Sequence, residues 1–377
     1  MPTITPDKLA DSYDVVIVGS GAGGGQTAYT LTMEGAKVLV LEAGRAFDVA
    51  AESAMFQLPS QAPLRGEKTP DKPYGFHDCS IESGWEIPGE PYVRAHSEPE
   101  RQFHWWRQRM MGGRTNHWGR ISLRNGPHDF MPRTLWGAGL DWPIRYEDVA
   151  PWYDRVEMLV GVFGSSEGIE NSPDSPSGIL LPAPSMRAGE LYAQKHAAKV
   201  NASVVPIHRA VLTKAQDADT VPAKLHPGNP RAQRLLAENM RLRNPCFWAT
   251  DCHRGCGIGA AYDSQSVHLR PALASGHLDI LPNAMAREVT LDKQGRATGV
   301  TFIDKTSGKE NHAKGRAVVL AAGAMESVRL LLNSKSALFP HGLANHSGQL
   351  GKSITDSVGS SLGAYMPAFE GLPIHNE

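Results

Sequence analysis

The chain has 377 residues, of which 41% are hydrophobic, and a formal net charge of −1. This length allows a large core and two domains, and the balanced charge with scattered Lys and Arg argues against nucleic acid as the main partner. The first dozen residues are polar and contain two prolines, which excludes the apolar core of a signal peptide, and no run of about 18 apolar residues follows.

A glycine-rich turn near the start of the chain is its most informative feature. The segment from Val15 to Val18 predicts a short apolar strand, and Gly19, Gly21 and Gly24 follow it as G-x-G-x-x-G. The first glycine permits a tight turn, the second lets the backbone approach a pyrophosphate, and the third lets a helix pack on the strand. The phosphate would lie at the N-terminus of that helix.

The second strand of this unit supports the same interpretation. The run from Val38 to Leu41 predicts a buried strand, and Glu42 follows it, eighteen residues after the last glycine. A carboxylate at this place is expected to accept hydrogen bonds from a ribose diol, and it would repel a 2′-phosphate. The sequence therefore predicts FAD or NAD rather than NADP, whereas an ordinary glycine-rich turn would leave Glu42 unexplained.

The middle of the chain is less regular. Residues 45–100 are rich in Pro, Gly and charge and predict a long irregular excursion. Residues 141–162 predict a helix that begins near Tyr146 or Glu147. Ser, Pro and Ala dominate residues 165–235, which indicates a connection to another domain.

The last third of the chain returns to strands and a helix. We predict strands at His277–Val289 and at Ala297–Ile303, separated by a turn at Asp292–Gly295. Ala317–Gly323 is a strongly apolar strand that ends in glycine, and a helix from Met325 to Leu332 should follow it. This second strand–glycine–helix junction would return the chain to the same parallel sheet.

Together these segments resemble the glucose-methanol-choline (GMC) flavin oxidoreductases, and most closely the large subunits of FAD-dependent glucose, gluconate and fructose dehydrogenases. The resemblance runs from about Tyr13 to Gly359, and its motifs keep the order and spacing of the family. The motifs are VGSGAGGG at 18–25, LEAG at 41–44, GGRTNHW at 112–118, DWPIRYEDVAPWYDRVE at 141–157, CHRGCGIGA at 252–260, VVLAAGAMES at 318–327 and QLGKSITD at 349–356.

The resemblance implies an α/β fold, namely an FAD-binding Rossmann-like domain with an incomplete substrate domain. The implied parts are residues 1–160 and 241–360 for the FAD-binding domain, 161–240 for a crossover and substrate-domain segment, and 361–377 for the start of a truncated substrate domain. The residues expected at the cofactor are Gly19, Gly21, Ala22, Gly24, Glu42, Ala43, Gly112, Gly113, Asn116, His117, Ala286, Gly323 and Asp356.

The role of His117 stays open within this resemblance. In some relatives the histidine of a similar T-H-W motif is joined covalently to the flavin, but Asn116 precedes the histidine here. A hydrogen-bonding or packing role beside the isoalloxazine is therefore favoured over covalent attachment. A histidine satisfied within the core is the remaining alternative.

Three clustered cysteines also match the relatives. Cys246, Cys252 and Cys256 have five and three residues between them, and the similar segment of the relatives holds a three-iron, four-sulfur cluster. Simple buried thiols are one alternative, and a zinc site completed by His253 is another, disfavoured because adjacent ligands would strain a tetrahedron. Cys79 is expected to be an unrelated buried thiol.

The implied reaction is oxidation of an alcohol or sugar hydroxyl: a histidine takes the proton while hydride passes to flavin N5. No residue of this chain matches the catalytic histidine of the family, which we expect beyond Glu377. His341, His346 and His375 lie in loop-like or terminal contexts, and Ser357 stands where relatives commonly carry a histidine. The chain is therefore interpreted as the first two thirds of an enzyme, with an FAD-binding fragment that is inactive without a C-terminal partner segment as the alternative.

The implied partners are a small alcohol or sugar substrate, an electron acceptor other than nicotinamide, and an electron-acceptor or escort subunit. Nucleic acid and direct membrane insertion are not expected, and the compartment is open between the cytoplasm and a periplasm reached with a partner. A nicotinamide-linked dehydrogenase is the rival from another class, but it leaves the GGRTNHW segment without a purpose. A disulfide reductase is disfavoured because no C-x-x-C-type pair accompanies a flavin motif.

Overall fold

The computed structural model describes residues 1–57, 83–84, 87, 90, 98, 105–248, 250–355, 363 and 365–371. The chain divides into two compact units, Met1–Gly119 with Asp217–Gly351 and Arg120–Gln216 with Lys352–Glu377. This division differs from the one derived from the resemblance. The first unit gives way to the second after residue 119 rather than 160, and it resumes at 217 rather than 241.

The described strands and helices are as follows. The strands are β1 Tyr13–Val18, β2 Val38–Leu41, β3 Ser83–Gly84, β4 Arg107–Gln108, β5 Phe163–Gly164, β6 Leu181–Pro182, β7 Leu278–Leu281, β8 Ala284–Leu291, β9 Ala297–Asp304 and β10 Glu310–Leu320. The helices are α1 Ala22–Met33, α2 Val49–Glu52, α3 Pro132–Trp136, α4 Tyr146–Val160, α5 Ala188–Ala197, α6 Thr220–Leu225, α7 Pro230–Met240, α8 Arg270–Ala274 and α9 Ala324–Asn333. A π-helical turn, Gln265–Leu269, leads directly into α8. No helix among the described residues is long and apolar enough to cross a bilayer.

A six-stranded sheet organises the first unit, with the order β7-β2-β1-β10-β9-β8. Strands β7, β2 and β1 and the last part of β10 are parallel to one another. Strands β10, β9 and β8 form an antiparallel extension. The sequence prediction that the late strand–glycine–helix junction returns to the first sheet is confirmed, because β10 pairs with β1.

In the parallel part, the apolar runs Val15 to Val18 of β1 and Val38 to Leu41 of β2 are explained by burial of both faces of these strands. In β1, Val16 and Val18 belong to one buried cluster, and Ile17 belongs to the cluster on the opposite face. The strand β2 alternates in the same way, and all four of its residues are buried. Each fully buried Val, Leu or Ile stabilises the fold by about 1.5–3 kcal/mol.

Three described helices, α5, α6 and α7, begin in the stretch that the sequence analysis described as a connection. The start of α7 carries a recognisable signal, since Asn229 Oδ1 accepts from the backbone N–H of Ala232 and Pro230 is the first helical residue. The predicted helix near Tyr146 is confirmed as α4, and its N-terminus is capped where the backbone N–H of Arg145 donates to Asp148 Oδ2 at 2.8 Å.

The second unit contains a buried ion pair. The side chain of Arg124 is 2% exposed, and its Nε donates to Glu157 Oε1 at 2.8 Å. Asp154 Oδ1 accepts from the same guanidinium at 2.6 Å, and Ser175 donates to Glu157 Oε2 at 2.7 Å. Burial alone would lower the pKa of Arg124, but the two carboxylates outweigh it and hold the pKa above its usual value.

Candidate functional site

Two of the three motif glycines are required by packing within the protein. Gly19 has φ +99°, and a Cβ there would lie 2.6 Å from the carbonyl oxygen of Ala321, just after β10. A Cβ on Gly24 would lie 1.8 Å from the carbonyl oxygen of Gly19. Both distances are far below van der Waals contact, so any larger residue would separate the glycine turn from β10 or α1 from the turn.

Gly21 is in a different situation. It is the N-cap residue of α1, and in the part of the chain that the structure describes a Cβ there would find only the carbonyl oxygen of Gly112, at 3.9 Å. Ala22 and Gly23, which open the helix, are exposed. The first N–H groups of a helix have no intrahelical partner and carry its positive dipole end. This terminus can therefore bind an anion such as a pyrophosphate.

Glu42 follows β2 directly and is buried, with 6% of its surface exposed. Its Oε2 accepts from the backbone N–H of Ser20 at 3.0 Å and from Ser20 Oγ at 2.5 Å. Its Oε1 accepts from the backbone N–H of Gly44 at 2.7 Å. The acid predicted to bind ribose thus also joins the glycine turn to the segment after β2. Ala43, which lies between Glu42 and Gly44 in the sequence, is half-buried. A carboxylate has about four acceptor positions, so capacity for a ligand remains.

The predicted 112–118 bend lies beside the glycine turn. Gly112 has φ +89°, Gly113 has φ +52°, and Gly113–Asn116 form a 3-10 helix. The segment before the bend runs along the residues after β2, where a Cβ on Gly44 would lie 2.0 Å from the backbone nitrogen of Met110. This close approach brings the bend to the carboxyl end of the parallel strands, where ligands bind in open α/β sheets.

The side chain of Asn116 is turned into the bend and is fully buried. Its Nδ2 donates to the carbonyl oxygen of Met111 at 2.9 Å, and its Oδ1 accepts from Gln265 Nε2 at 3.4 Å. Asn116 was predicted beside the isoalloxazine; in the structure its side chain holds the bend in shape.

His117 is 7% exposed and fixed to the cysteine segment. Its Nδ1 lies 3.0 Å from the carbonyl oxygen of His253, and its ring centroid lies 6.3 Å from that of Phe47. Because a carbonyl oxygen only accepts, Nδ1 carries the proton of this hydrogen bond. These contacts favour a packing and hydrogen-bonding role for His117 over covalent attachment to a flavin.

Hydroxyl groups that the sequence analysis did not single out connect these parts. Ser20 Oγ accepts from the backbone N–H of Gly112 at 2.8 Å. Thr115 Oγ1 donates to the carbonyl oxygen of Gly112 at 2.6 Å and accepts from the backbone N–H of Ser264 at 2.9 Å. Ser264 Oγ donates to the carbonyl oxygen of Ser20 at 2.8 Å. The signals that could have found this set were Thr115 inside the GGRTNHW motif and Ser20 inside the VGSGAGGG motif.

Two of the remaining predicted cofactor residues lie near these elements. The backbone N–H of Ala284 donates to the carbonyl oxygen of Glu42 at 2.8 Å, which brings the start of β8, with Ala286, beside the predicted ribose acid. Gly323, with φ +85°, is the N-cap residue of α9, and a Cβ there would lie 3.6 Å from Arg114 Nη2. Asp356 lies outside the described residues.

An ion-pair network supports the strand that leads into the bend. Arg109 lies between two acids, with Nε 3.0 Å from Glu90 Oε1 and Nη2 2.9 Å from Glu326 Oε1. Lys305 Nζ is also 3.0 Å from Glu90 Oε1. Burial would raise the pKa of Glu326, but Arg109 and Arg329 outweigh it and keep the pKa below its usual value. The network ties the approach to the bend to the first turn of α9.

The described contacts of the cysteines do not confirm the predicted metal cluster. Cys246 Sγ accepts from the backbone N–H of Trp248 at 3.3 Å, and the buried Cys256 Sγ accepts from the backbone N–H of Ala261 at 3.4 Å. Among the described residues, no three His, Cys, Asp or Glu side chains are grouped so that they could hold a metal ion. Neither the three-iron cluster on Cys246, Cys252 and Cys256 nor the zinc alternative with His253 is supported by this geometry.

The histidines considered as substitutes for a catalytic base do not gather at the bend. His341 and His346 are exposed, and the ring of His346 packs at 5.2 Å from that of Phe339. His375 lies outside the described residues.

Comparison with known proteins identifies two family models, which match separate parts of the chain. A family model described as "FAD binding domain" matches residues 14–132, and one described as "GMC oxidoreductase" matches residues 233–358. The chain is 26% identical over 367 residues to the fructose dehydrogenase large subunit of Gluconobacter japonicus. This match covers 96% of this chain and 61% of that protein. It is 27% identical to paromamine 6'-oxidase of Streptomyces fradiae (91% and 53% covered) and 28% identical to 2-methyl-1,2-propanediol dehydrogenase of Mycolicibacterium austroafricanum (91% and 54%).

The parallel sheet, the glycine turn and the open helix N-terminus define the first unit as a Rossmann-like FAD-binding fold. The chain is similar to the GMC oxidoreductases over residues 233–358. It spans between 53% and 61% of the length of these three relatives.

Proposed function

We propose that this chain is the FAD-binding part of an oxidoreductase that oxidises an alcohol or sugar hydroxyl and passes the electrons to an acceptor other than nicotinamide. The observation that carries the proposal is the position of Gly21. Among the described residues, a Cβ there would find only the carbonyl oxygen of Gly112 within 4 Å, so the helix N-terminus and the bend border the same space. A dinucleotide needs this arrangement, with a phosphate site at one end and a place for a ring at the other.

Each element has a defined role in this proposal. The N–H groups at the start of α1 bind the pyrophosphate, and Glu42 keeps acceptor capacity for the ribose hydroxyls. Gly112 and Gly113 let the backbone come close to the flavin ring, because neither has a Cβ. When bound, the flavin supplies a hydride acceptor, and the protein contributes orientation and exclusion of water.

The substrate class in the proposal comes from the relatives. Their names specify a fructose dehydrogenase, a paromamine oxidase and a propanediol dehydrogenase, all of which act on hydroxyl-bearing small molecules. The identity of the substrate is set by the side chains of a substrate domain rather than by the FAD-binding fold. The proposal is therefore limited to CH–OH donors as a class.

The electron acceptor is a separate part of the proposal. The cysteine segment borders the bend, since His253 accepts from His117 Nδ1 and a Cβ on Gly255 would lie 4.0 Å from the carbonyl oxygen of Asn116. The sulfur atoms of Cys246 and Cys256 accept backbone hydrogen bonds, and no group of three metal-binding side chains is found among the described residues, so we favour simple thiols over the three-iron cluster. One relative is named as a large subunit, and we extend the proposal to a partner subunit that accepts the electrons.

The first experiment is an absorption spectrum of the purified protein together with titration of FAD-free protein with FAD. We expect the two bands of oxidised flavin and saturable binding of one FAD per chain. Iron and acid-labile sulfide analysis of the same sample is expected to give neither element. A folded protein that stays colourless and binds NAD instead of FAD would contradict the proposal, and stoichiometric iron with sulfide would restore the cluster.

A second candidate function is FAD binding without turnover by the chain alone. It is favoured by the limited share of each relative that the chain covers. Reduction of an artificial dye by a panel of sugars and alcohols separates the two candidates. Bleaching of the bound flavin under anaerobic conditions by any member of the panel supports catalysis, and bound flavin that none of them bleaches supports the second candidate.

A further inference from the structure

Three segments that are distant in sequence close a ring of hydrogen bonds beneath the proposed cofactor site. The ring runs from Ser20 Oγ to the N–H of Gly112, from the Gly112 carbonyl to Thr115 Oγ1, from Thr115 Oγ1 to the N–H of Ser264, and from Ser264 Oγ back to the Ser20 carbonyl. Its four contacts measure 2.8, 2.6, 2.9 and 2.8 Å. We call these four residues the hydroxyl ring.

The hydroxyl ring is shielded from water. Ser20 and Ser264 are fully buried, and Thr115 is 7% exposed. The ring also fits tightly, because a Cβ on Gly25 would lie 2.0 Å from Ser264 Oγ. Buried hydrogen bonds of this kind have no competing water, so opening one of them leaves a donor or acceptor unsatisfied.

The ring reaches both ends of the proposed FAD site. Ser20 lies inside the glycine turn that leads to α1, and its Oγ also donates to Glu42 Oε2. Gly112 lies in the bend that is proposed to approach the flavin. A single hydroxyl group thus connects the predicted ribose acid, the phosphate turn and the flavin bend.

We propose that Ser20 is a positioning residue, which through the hydroxyl ring fixes the bend relative to the glycine turn before FAD binds. The proposal rests on the proposed function, because it concerns the same cofactor. Its physical basis is pre-organisation: a bend already held in place loses little freedom when the ligand arrives. Without Ser20 Oγ, the N–H of Gly112 must find water, and the FAD-free bend moves away to do so. FAD must then restore the arrangement, so its affinity falls.

The test compares Ser20→Ala, Thr115→Val and the double variant with the wild type. Thr115→Val keeps the shape of the side chain and removes both of its hydrogen bonds. Each single variant is expected to weaken FAD binding about tenfold, as loss of a satisfied buried hydrogen bond predicts. Because one break opens the ring, the double variant should bind FAD about as weakly as the worse single variant instead of about a hundredfold more weakly.

A matched control is available in Ser275→Ala. Ser275 is 3% exposed, and its Oγ donates to the carbonyl oxygen of Ala272 at the end of α8. This variant should lower the melting temperature of the FAD-free protein and leave the dissociation constant for FAD unchanged. Visible circular dichroism of the bound flavin should change in the Ser20 and Thr115 variants and not in the control.

The outcomes distinguish this proposal from the proposed function. If the wild type binds FAD and Ser20→Ala loses stability with an unchanged dissociation constant and flavin spectrum, the hydroxyl ring is only part of the core. Additive losses in the double variant would also overturn the proposal. Failure of the wild type itself to bind FAD would overturn the proposed function instead.

Discussion

The motif glycines allow a sharp separation of folding from cofactor binding. In Gly21→Ala the added methyl group has no atom of the described residues nearer than 3.9 Å, and the backbone at φ −68° suits alanine. The free energy of unfolding should therefore change by less than about 1 kcal/mol. In Gly24→Ala the methyl group would lie 1.8 Å from the carbonyl oxygen of Gly19, so α1 must shift at a cost of about 3 kcal/mol or more.

FAD binding by Gly21→Ala, in contrast to its stability, should be clearly weakened. Its methyl group would occupy the space through which the pyrophosphate reaches the helix N–H groups. Loss of one hydrogen bond to a charged phosphate costs about 1.5–3 kcal/mol, which is roughly a tenfold to hundredfold weaker dissociation constant. Thermal unfolding of FAD-free protein and fluorescence titration with FAD measure the two quantities separately.

Gly35→Ala is the control for glycine strain away from the site. Gly35 has φ +87° and open space around it, so alanine there should cost about 1–2 kcal/mol of stability and leave FAD affinity unchanged. Wild-type affinity in Gly21→Ala would refute the assignment of the pyrophosphate to this turn. Unfolding of Gly21→Ala to the same extent as Gly24→Ala would refute the inference that the space beside Gly21 is open.

Three further predictions concern buried ionisable side chains. Replacing Arg124 with Met leaves Glu157 buried without its partner and should cost about 3–5 kcal/mol in urea unfolding, most of which Glu157→Leu in the same chain should restore; additive losses would contradict this. Burial, and to a lesser extent the charge of Arg243, lowers the pKa of His268 to about 3. Below pH 6.5 the unfolded chain therefore binds one more proton than the folded chain, and the free energy of unfolding should fall by up to about 1.4 kcal/mol per pH unit as the pH drops from 6.5 towards 3. The variant His268→Gln should reduce that slope. Tyr13 donates to Asp279, and burial raises the pKa of Tyr13 to about 12; ultraviolet titration of the wild type against Tyr13→Phe should show one phenol fewer near pH 12, and a loss near pH 10 would contradict it.

The sequence predicted the parts of the fold that local patterns determine. The run Val38 to Leu41 became β2 at the predicted bounds, because a strand buried on both faces has no polar residue to obscure its ends. The glycine turn could be predicted because its tight bend and close backbone approaches require residues without a Cβ. The structure shows two of these close approaches within the protein, at Gly19 and Gly24.

The features that the sequence did not predict depend on contacts between distant segments. Ser20 and Ser264 meet across 244 positions, and neither residue type has a spacing that announces a buried hydrogen bond. Asn116 carried a flavin role by resemblance, but its partners Met111 and Gln265 could be known only from the fold. The helix α5 was missed because its surface is not buried, so its apolar residues follow no strong pattern.

The eleven-residue strand β10 couples two parts of the fold through its length. Residues 310–314 are in register with β9, and residues 315–320 are in register with β1. A strand advances about 3.3 Å per residue and alternates its faces, so one inserted residue would reverse every side chain on one side of the insertion. It would also move Ala321 off Gly19, against which it packs after the strand. Changes of chain length in this region are therefore confined to the hairpin loops at 292–296 and 305–309, whereas β10 itself is a fixed spacer between the hairpin and the nucleotide turn.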